Sequence, residues 1–159
     1  MTTFFANVPV WVLPLFIGLL IVSLRATRSR QVPKVLVYSL PLLGLLSLRT
    51  VLSFDLRLLA VALFVVGYAS GARFGFLAQT KWIAGITDRY VTIRGEWLSM
   101  VTIMGLFVLN FVNGAVNGMV PEMASGVTYI ATICAVAGAL SGTFIGRALR
   151  VATWTKASA

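Results

Sequence analysis

The sequence predicts an all-α membrane protein, a bundle of about five transmembrane helices with a small β-hairpin between the third and the fourth. Of the 159 residues, 59% are hydrophobic and only 11% are charged, whereas a soluble domain carries about a quarter charged residues. The apolar residues fall in long runs, and such runs are stable where lipid surrounds the chain. The whole chain, 1–159, is expected to form one integral membrane domain.

Five apolar segments give the number of predicted spans. Each falls within the range of lengths that crosses the hydrocarbon core as a helix, about 17–25 residues. The first segment has no basic region before it and no small-residue cleavage site after it, so it is expected to be retained. The predicted spans are 8–24, 35–52, 56–77, 97–116 and 125–149.

Residues 79–96 form the only extended polar stretch. Within it, 90–94 alternate polar and apolar side chains of β-favouring types, which is typical of a strand. Asp88 and Arg89 are placed to turn the chain back on the preceding segment. We therefore expect a β-hairpin over 79–96 at the membrane surface, with an irregular loop as the alternative.

The basic residues predict the orientation of the bundle. They concentrate in the connection 25–34, in the hairpin and in the tail 150–156. These segments follow the first, third and fifth spans, so all three lie on the same side of the membrane. The opposite side has Arg49 and Arg57. Because basic residues favour cytoplasmic loops, the amino terminus is expected outside and the carboxyl terminus in the cytoplasm.

Glycines recur at every fourth position in two of the spans. This spacing aligns them along one ridge of each helix, where a missing side chain lets another backbone approach closely. Packing within one chain is the preferred interpretation, and association of two copies is the alternative. The helix-packing residues are Gly67, Gly71, Gly75, Gly138, Gly142 and Gly146.

The fourth span carries three amides, Asn110, Asn113 and Asn117, on one face beside Gly114 and Gly118. An asparagine in hydrocarbon needs a hydrogen-bond partner, so this face should turn toward other helices or toward water. Hydrogen bonding between helices is the preferred interpretation. A small polar cavity open to the outside is the alternative.

The hairpin carries the only cluster of charges, Asp88, Arg89, Arg94 and Glu96. A solvated face beside anionic headgroups is the simplest interpretation. A docking surface for a protein partner is the alternative, because a hairpin exceeds what a mere connection needs.

Catalytic and metal-binding patterns are nearly absent from the sequence. The chain has no histidine and one cysteine, Cys134, which lies within an apolar run. We therefore predict no enzyme activity, no metal and no cofactor. The 13 basic residues against 4 acidic ones are expected to serve membrane orientation, and no nucleic acid is expected as a partner.

Three fragments appear in an order that resembles a known family. They are Val8-Pro9-Val10-Trp11-Val12, Gly95-Glu96-Trp97-Leu98, and Ser141-Gly142-Thr143-Phe144-Ile145-Gly146-Arg147. The order resembles a family of small, uncharacterised bacterial inner-membrane proteins, a domain of unknown function known only as a transmembrane protein. The resemblance implies a bacterial cytoplasmic membrane and a compact multi-span unit. It also implies that the last fragment is a packing ridge that ends in a basic inner anchor.

Three functions are consistent with these observations. The preferred one is an accessory, assembly or sensor component that acts through helix or partner contacts. The second is a small oligomeric transporter or channel that uses the asparagine face. The third, an enzyme acting on lipid, lacks an evident acid and base. The expected partners are membrane lipids and either a second copy or another membrane protein.

Overall fold

Helices make up most of the computed structural model, which describes residues 12–54, 56–87 and 89–154. Three short strands lie between them. The helices are α1 (Val12–Ala26), α2 (Lys34–Leu52), α3 (Arg57–Gln79), α4 (Trp97–Met119), α5 (Pro121–Ala124) and α6 (Val127–Ala152). The strands are β1 (Arg30–Pro33), β2 (Ile83–Ile86) and β3 (Tyr90–Ile93).

Four of the described helices, α2, α3, α4 and α6, are long and apolar enough to cross a membrane. They begin and end within three residues of the predicted spans, because runs of apolar residues are a local property of the sequence. The first predicted span, 8–24, overlaps α1, which has 15 described residues and is shorter. Residues 8–11 of that span lie outside the described residues. The one-turn helix α5 was not predicted.

The central helix of the bundle is α6, which has the largest buried share of the four long helices. It packs against α2, α3 and α4, and α1 lies against α4. The rings of Phe16 in α1 and Phe107 in α4 are 5.7 Å apart. Helices α3 and α6 run parallel, since the contacts of α3 advance along both helices together, from Gly67 beside Ala135 to Gly75 beside Thr143.

The predicted hairpin is present as β2 and β3, and a third strand joins it. The sheet order is β1-β3-β2 and both pairings are antiparallel, with Arg30 opposite Ile93 and Pro33 opposite Tyr90. Strand β1 comes from the connection between α1 and α2. It was not predicted because it is four residues long and ends in a proline, which is a weak strand signal.

The sheet covers one end of the bundle, where α1 and α3 end and α2 and α4 begin. We call this end of the molecule the sheet end. Val91 at 0% exposure is the centre of an apolar cluster beneath the sheet, and the last turns of α6 complete it. Trp82 and Trp154 pack against this cluster. The buried members are Val32, Val37, Ile83, Val91, Ile93, Ala148 and Val151.

A second apolar cluster lies at the opposite end, between α2, α3 and α6. It includes Phe64, Ile130 and Cys134, and Cys134 is fully buried. The cysteine therefore packs as a small apolar side chain.

Candidate functional site

Four polar side chains are buried together at the sheet end of the bundle. They are Gln79 at the end of α3, Glu96 and Ser99 at the start of α4, and Arg147 near the end of α6. Their exposures are 0%, 2%, 3% and 3%, in the same order. We call this group the polar junction. It joins the ends of three helices that are far apart in the sequence.

Arg147 is the centre of the polar junction. Its Nε donates a hydrogen bond to the side-chain oxygen of Gln79 at 2.7 Å, and its Nη1 donates to Ser99 Oγ at 2.9 Å. Its Nη2 forms an ion pair with Glu96 Oε1. The planar guanidinium thus holds three partners in fixed directions, which a lysine ammonium could not do in the same way.

Ser99 completes the junction by donating its hydroxyl to Glu96 Oε1 at 2.5 Å. A short hydrogen bond to a carboxylate is charge-assisted and strong. A hydroxyl beside a carboxylate resembles part of a nucleophilic site. However, Ser99 is 3% exposed and its oxygen also accepts from Arg147, so a substrate cannot reach it in this conformation. The hydrogen bonds of the junction hold the ends of α3, α4 and α6 together.

Two buried atoms of the junction have no hydrogen-bond partner, Gln79 Nε2 and Glu96 Oε2. A buried polar atom without a partner lowers the free energy of unfolding. These two atoms therefore make the junction sensitive to the loss of the hydrogen bonds that remain. Arg147 thus binds all three other side chains of the junction, while one atom each of Gln79 and Glu96 has no partner.

The prediction that Glu96 shares an exposed surface with Asp88, Arg89 and Arg94 is wrong. Arg89 and Arg94 are exposed, but Glu96 is 2% exposed and faces Arg147. The backbone N–H of Glu96 donates to the carbonyl of Ala26, which draws this segment under the sheet. Asp88 lies outside the described residues.

Arg147 also differs from its expected place. The resemblance implied a basic anchor at the inner membrane surface, whereas Arg147 lies inside the bundle. Its position near a helix end gives no local signal in the sequence that its side chain would be buried. Arg147 follows Thr143 by one helical turn on the most buried helix, so both side chains share the inward face.

Gly95 positions Glu96. A Cβ built on Gly95 would overlap the carbonyl oxygen of Thr27, so the backbones of the two connections are in direct contact there. The N–H of Gly95 also donates to Ser29 Oγ at 3.4 Å. This close approach needs a residue without a side chain.

The two glycine ridges face each other within the chain. Added Cβ atoms on Gly67, Gly71 and Gly75 would overlap backbone oxygens of α6, at Ala135, Ala139 and Thr143. The reciprocal overlaps occur for the ridge of α6 against backbone oxygens of α3. The ridge of α6 is Gly138, Gly142 and Gly146, and the oxygens are those of Phe64, Tyr68 and Ala72.

The asparagines of α4 are hydrogen-bonded to differing extents. Tyr129 in α6 donates its hydroxyl to Asn113 Oδ1 at 3.1 Å, and Asn113 is half-buried. Asn110 donates to the carbonyl of Leu106 at 2.8 Å, and Thr50 in α2 donates weakly to its Oδ1 at 3.5 Å. Asn117 donates to the carbonyl of Asn113 at 2.7 Å. The structure thus turns only the middle amide toward α6.

Asn110 and Asn117 are exposed, together with Gly114 and Gly118. Among the described residues, nothing lies within 4 Å of a Cβ built on either glycine. We call Asn110, Gly114, Asn117 and Gly118 the α4 face. In contrast to the ridges of α3 and α6, the backbone at Gly114 and Gly118 is not covered by the helices described here.

No group of three or more histidine, cysteine or acidic side chains that could hold a metal ion is found within the described ranges. No protein-family model, no curated protein and no solved structure matches this chain. The family resemblance seen in the sequence therefore stays a prediction.

Proposed function

We propose that the chain is a multi-pass protein of the bacterial cytoplasmic membrane that acts through contacts between helices, as an accessory, assembly or sensor component. Its outer surface supports insertion in a membrane. Leu58, Val35 and Val66 are 90%, 77% and 67% exposed, and many other large apolar side chains lie outward on the long helices. A surface with so many exposed large apolar side chains would be unfavourable in water. In our proposal, the sheet end lies in the cytoplasm.

The exposure of the α4 face is the observation that carries this proposal. Asn110 lies 13 residues into α4, about 20 Å along the helix, and so within the hydrocarbon core. Within the chain, Asn110 donates one amide hydrogen to the carbonyl of Leu106 and accepts a long bond from Thr50, and lipid tails offer no acceptor for its second amide hydrogen. A helix of another chain does, and Gly114 and Gly118 leave room for its backbone.

A leucine at Gly114 tests the proposal, with Gly18 in α1 as the matched control. Both glycines are exposed, and a Cβ on either meets nothing within 4 Å among the described residues. The size of the complex is measured by native mass spectrometry from lipid nanodiscs and by cross-linking in intact membranes. Gly114→Leu is expected to dissociate a complex that Gly18→Leu leaves intact.

Either of two results would refute a function through the α4 face. One is a wild-type chain that cross-links to nothing in its own membrane. The other is a complex that survives Gly114→Leu and Asn110→Leu together. Mass spectrometry also identifies the occupant as a second copy or as a different membrane protein.

A transporter or channel is the second candidate, and one arrangement favours it. The pairs Tyr129–Asn113 and Thr50–Asn110 form a polar line between α2, α4 and α6. This function requires water along that line. Asn113→Cys, in a Cys134→Ala background, should then react with a membrane-impermeant thiol reagent. Protection of this cysteine would exclude the transporter.

A further inference from the structure

Basic side chains are concentrated at the sheet end of the molecule. Arg49 and Arg57 are the exposed cations described at the opposite end, where Glu122 is also exposed. At the sheet end, Arg147 is buried in the polar junction, Lys34 and Arg150 are half-buried, and the side chains of the other cations named below are exposed. These cations are Arg25, Arg28, Lys34, Arg73, Lys81, Arg89, Arg94 and Arg150.

The positive charge at this end is not balanced by the chain itself. Within the described ranges, Glu96 is the only acidic residue at the sheet end, and its charge is neutralised by Arg147 in the buried polar junction. Asp88, known here from the sequence alone, adds one negative charge. A ligand for this surface therefore has to be anionic.

Apolar side chains lie beside these cations. Trp97, the first residue of α4, is 68% exposed, and Phe74 and Leu77 in the last turns of α3 are 57% and 59% exposed. These side chains lie on helices that the proposed function places in lipid, so the neighbouring cations lie at the depth of the headgroups. A phospholipid satisfies both parts, because its phosphate meets the cations while its acyl chains cover the apolar side chains.

Arg150 provides a fixed cation within this surface. Its guanidinium carbon lies 5.1 Å from the ring centres of both Phe76 and Trp154. Two cation–π contacts restrict the side chain. Among the described residues, none accepts a hydrogen bond from its Nη1 or Nη2, whereas its Nε is buried and out of reach of a ligand. An arginine held in place with open donors is well suited to bind a phosphate group.

We propose that the sheet end is a docking surface for anionic phospholipid headgroups, with Arg150 as its fixed anchor and Lys81, Arg89 and Arg94 as further exposed cations at the same end. The proposal rests on the membrane location given under the proposed function. It adds a lipid preference to that location: the chain binds phosphatidylglycerol or a similar anionic lipid more tightly than a zwitterionic one.

The test is native mass spectrometry of the full chain from nanodiscs that contain equal amounts of phosphatidylglycerol and phosphatidylcholine with identical acyl chains. The variant Arg89→Gln/Arg94→Gln removes two charges from the sheet end. The control Arg49→Gln/Arg57→Gln removes two charges from the opposite end. Each surface cation contributes roughly 1 kcal/mol of attraction, so the anionic preference should fall about 30-fold in the first variant. The control should change less than about 2-fold.

Arg150→Gln should lower the same preference about 5-fold, and Arg150→Lys should restore part of it. Equal retention of the two lipids by the wild-type chain would overturn the proposal, as would equal losses in the variant and the control. Nuclease-sensitive RNA bound in place of lipid would also overturn it. Carbonate extraction separates the two proposals: a chain released without detergent refutes the membrane location, whereas a retained chain without anionic preference refutes only the lipid surface.

Discussion

Arg147 and Glu96 form an ion pair in which the side chains are only 3% and 1% exposed, although 51 residues separate them in the sequence. The pair joins the end of the central helix α6 to the residue that precedes α4. Removing two charges from water is costly, and the attraction between them compensates only when both partners are present. The polar junction is therefore a point at which single substitutions should have large effects.

Arg147→Met should destabilise the protein by about 3–5 kcal/mol, because the carboxylate of Glu96 would remain buried without a countercharge. The double variant Arg147→Met/Glu96→Gln should regain at least half of that loss. The free energy of unfolding in detergent micelles is the measurement. Arg73→Met is the control, since Arg73 is exposed on α3, and it should change stability by less than about 0.5 kcal/mol. Equal losses in the single and double variants would contradict the assigned role of the charge pair.

Gly71→Ala should separate α3 from α6, because its Cβ would overlap the carbonyl of Ala139. We expect a loss of about 1–3 kcal/mol in the free energy of unfolding. Gly18→Ala is the matched control. It lies on an exposed face of α1 with open space around it, so it should gain up to about 1 kcal/mol from better helix propensity. Effects of the same sign in both variants would argue against the close contact of the two ridges.

Gly95→Ala should loosen the sheet from the bundle, because the added methyl group would overlap the backbone of Thr27. Hydrogen exchange at the buried strand residue Val91 should become faster, and stability should fall by about 1–3 kcal/mol. Gly85→Ala adds the same group to β2 where nothing lies within 4 Å, so it should leave both values nearly unchanged. Unchanged exchange in the Gly95 variant would show that this contact does not hold the sheet.

Asn113 and Tyr129 should be energetically coupled through the hydrogen bond between α4 and α6. A double-mutant cycle with Asn113→Ala and Tyr129→Phe should give an interaction energy of about 0.6–1.7 kcal/mol. Asn110→Ala with Tyr129→Phe is the control and should be additive within about 0.5 kcal/mol, since no hydrogen bond joins this pair. A coupling near zero in the first cycle would remove Asn113 from the contacts that hold α4.

The four long helices could be predicted from the sequence because each is encoded by a continuous apolar run. The hairpin could also be predicted, since the alternation in 90–94 is local. Strand β1 could not, because its pairing depends on β3, and Arg30 lies opposite Ile93 only after two helices have brought them together. Whether a short segment forms a strand depends on the strand with which it pairs.

The polar junction was missed for the same reason. Glu96 lies in a polar stretch and Arg147 at a helix end, so each has the local appearance of a surface charge. Only the parallel packing of α3 on α6 brings Gln79 to Arg147, and only Gly95 lets Glu96 pass beneath the sheet. Charges that neutralise each other across helices carry no signal in either segment alone.

The parallel pairing of α3 with α6 also determines when the protein can be finished during synthesis. Gln79 and its partner Arg147 are separated by 68 residues, and ribosomes add roughly 5–20 residues each second. The glycine ridge of α3 therefore waits about 3–14 s for its partner, with its bare backbone exposed to whatever else occupies the insertion site. A newly made chain that stalls before α6 leaves that ridge open to wrong neighbours, so the insertion of α6 is the step that commits the helices described here to their final packing.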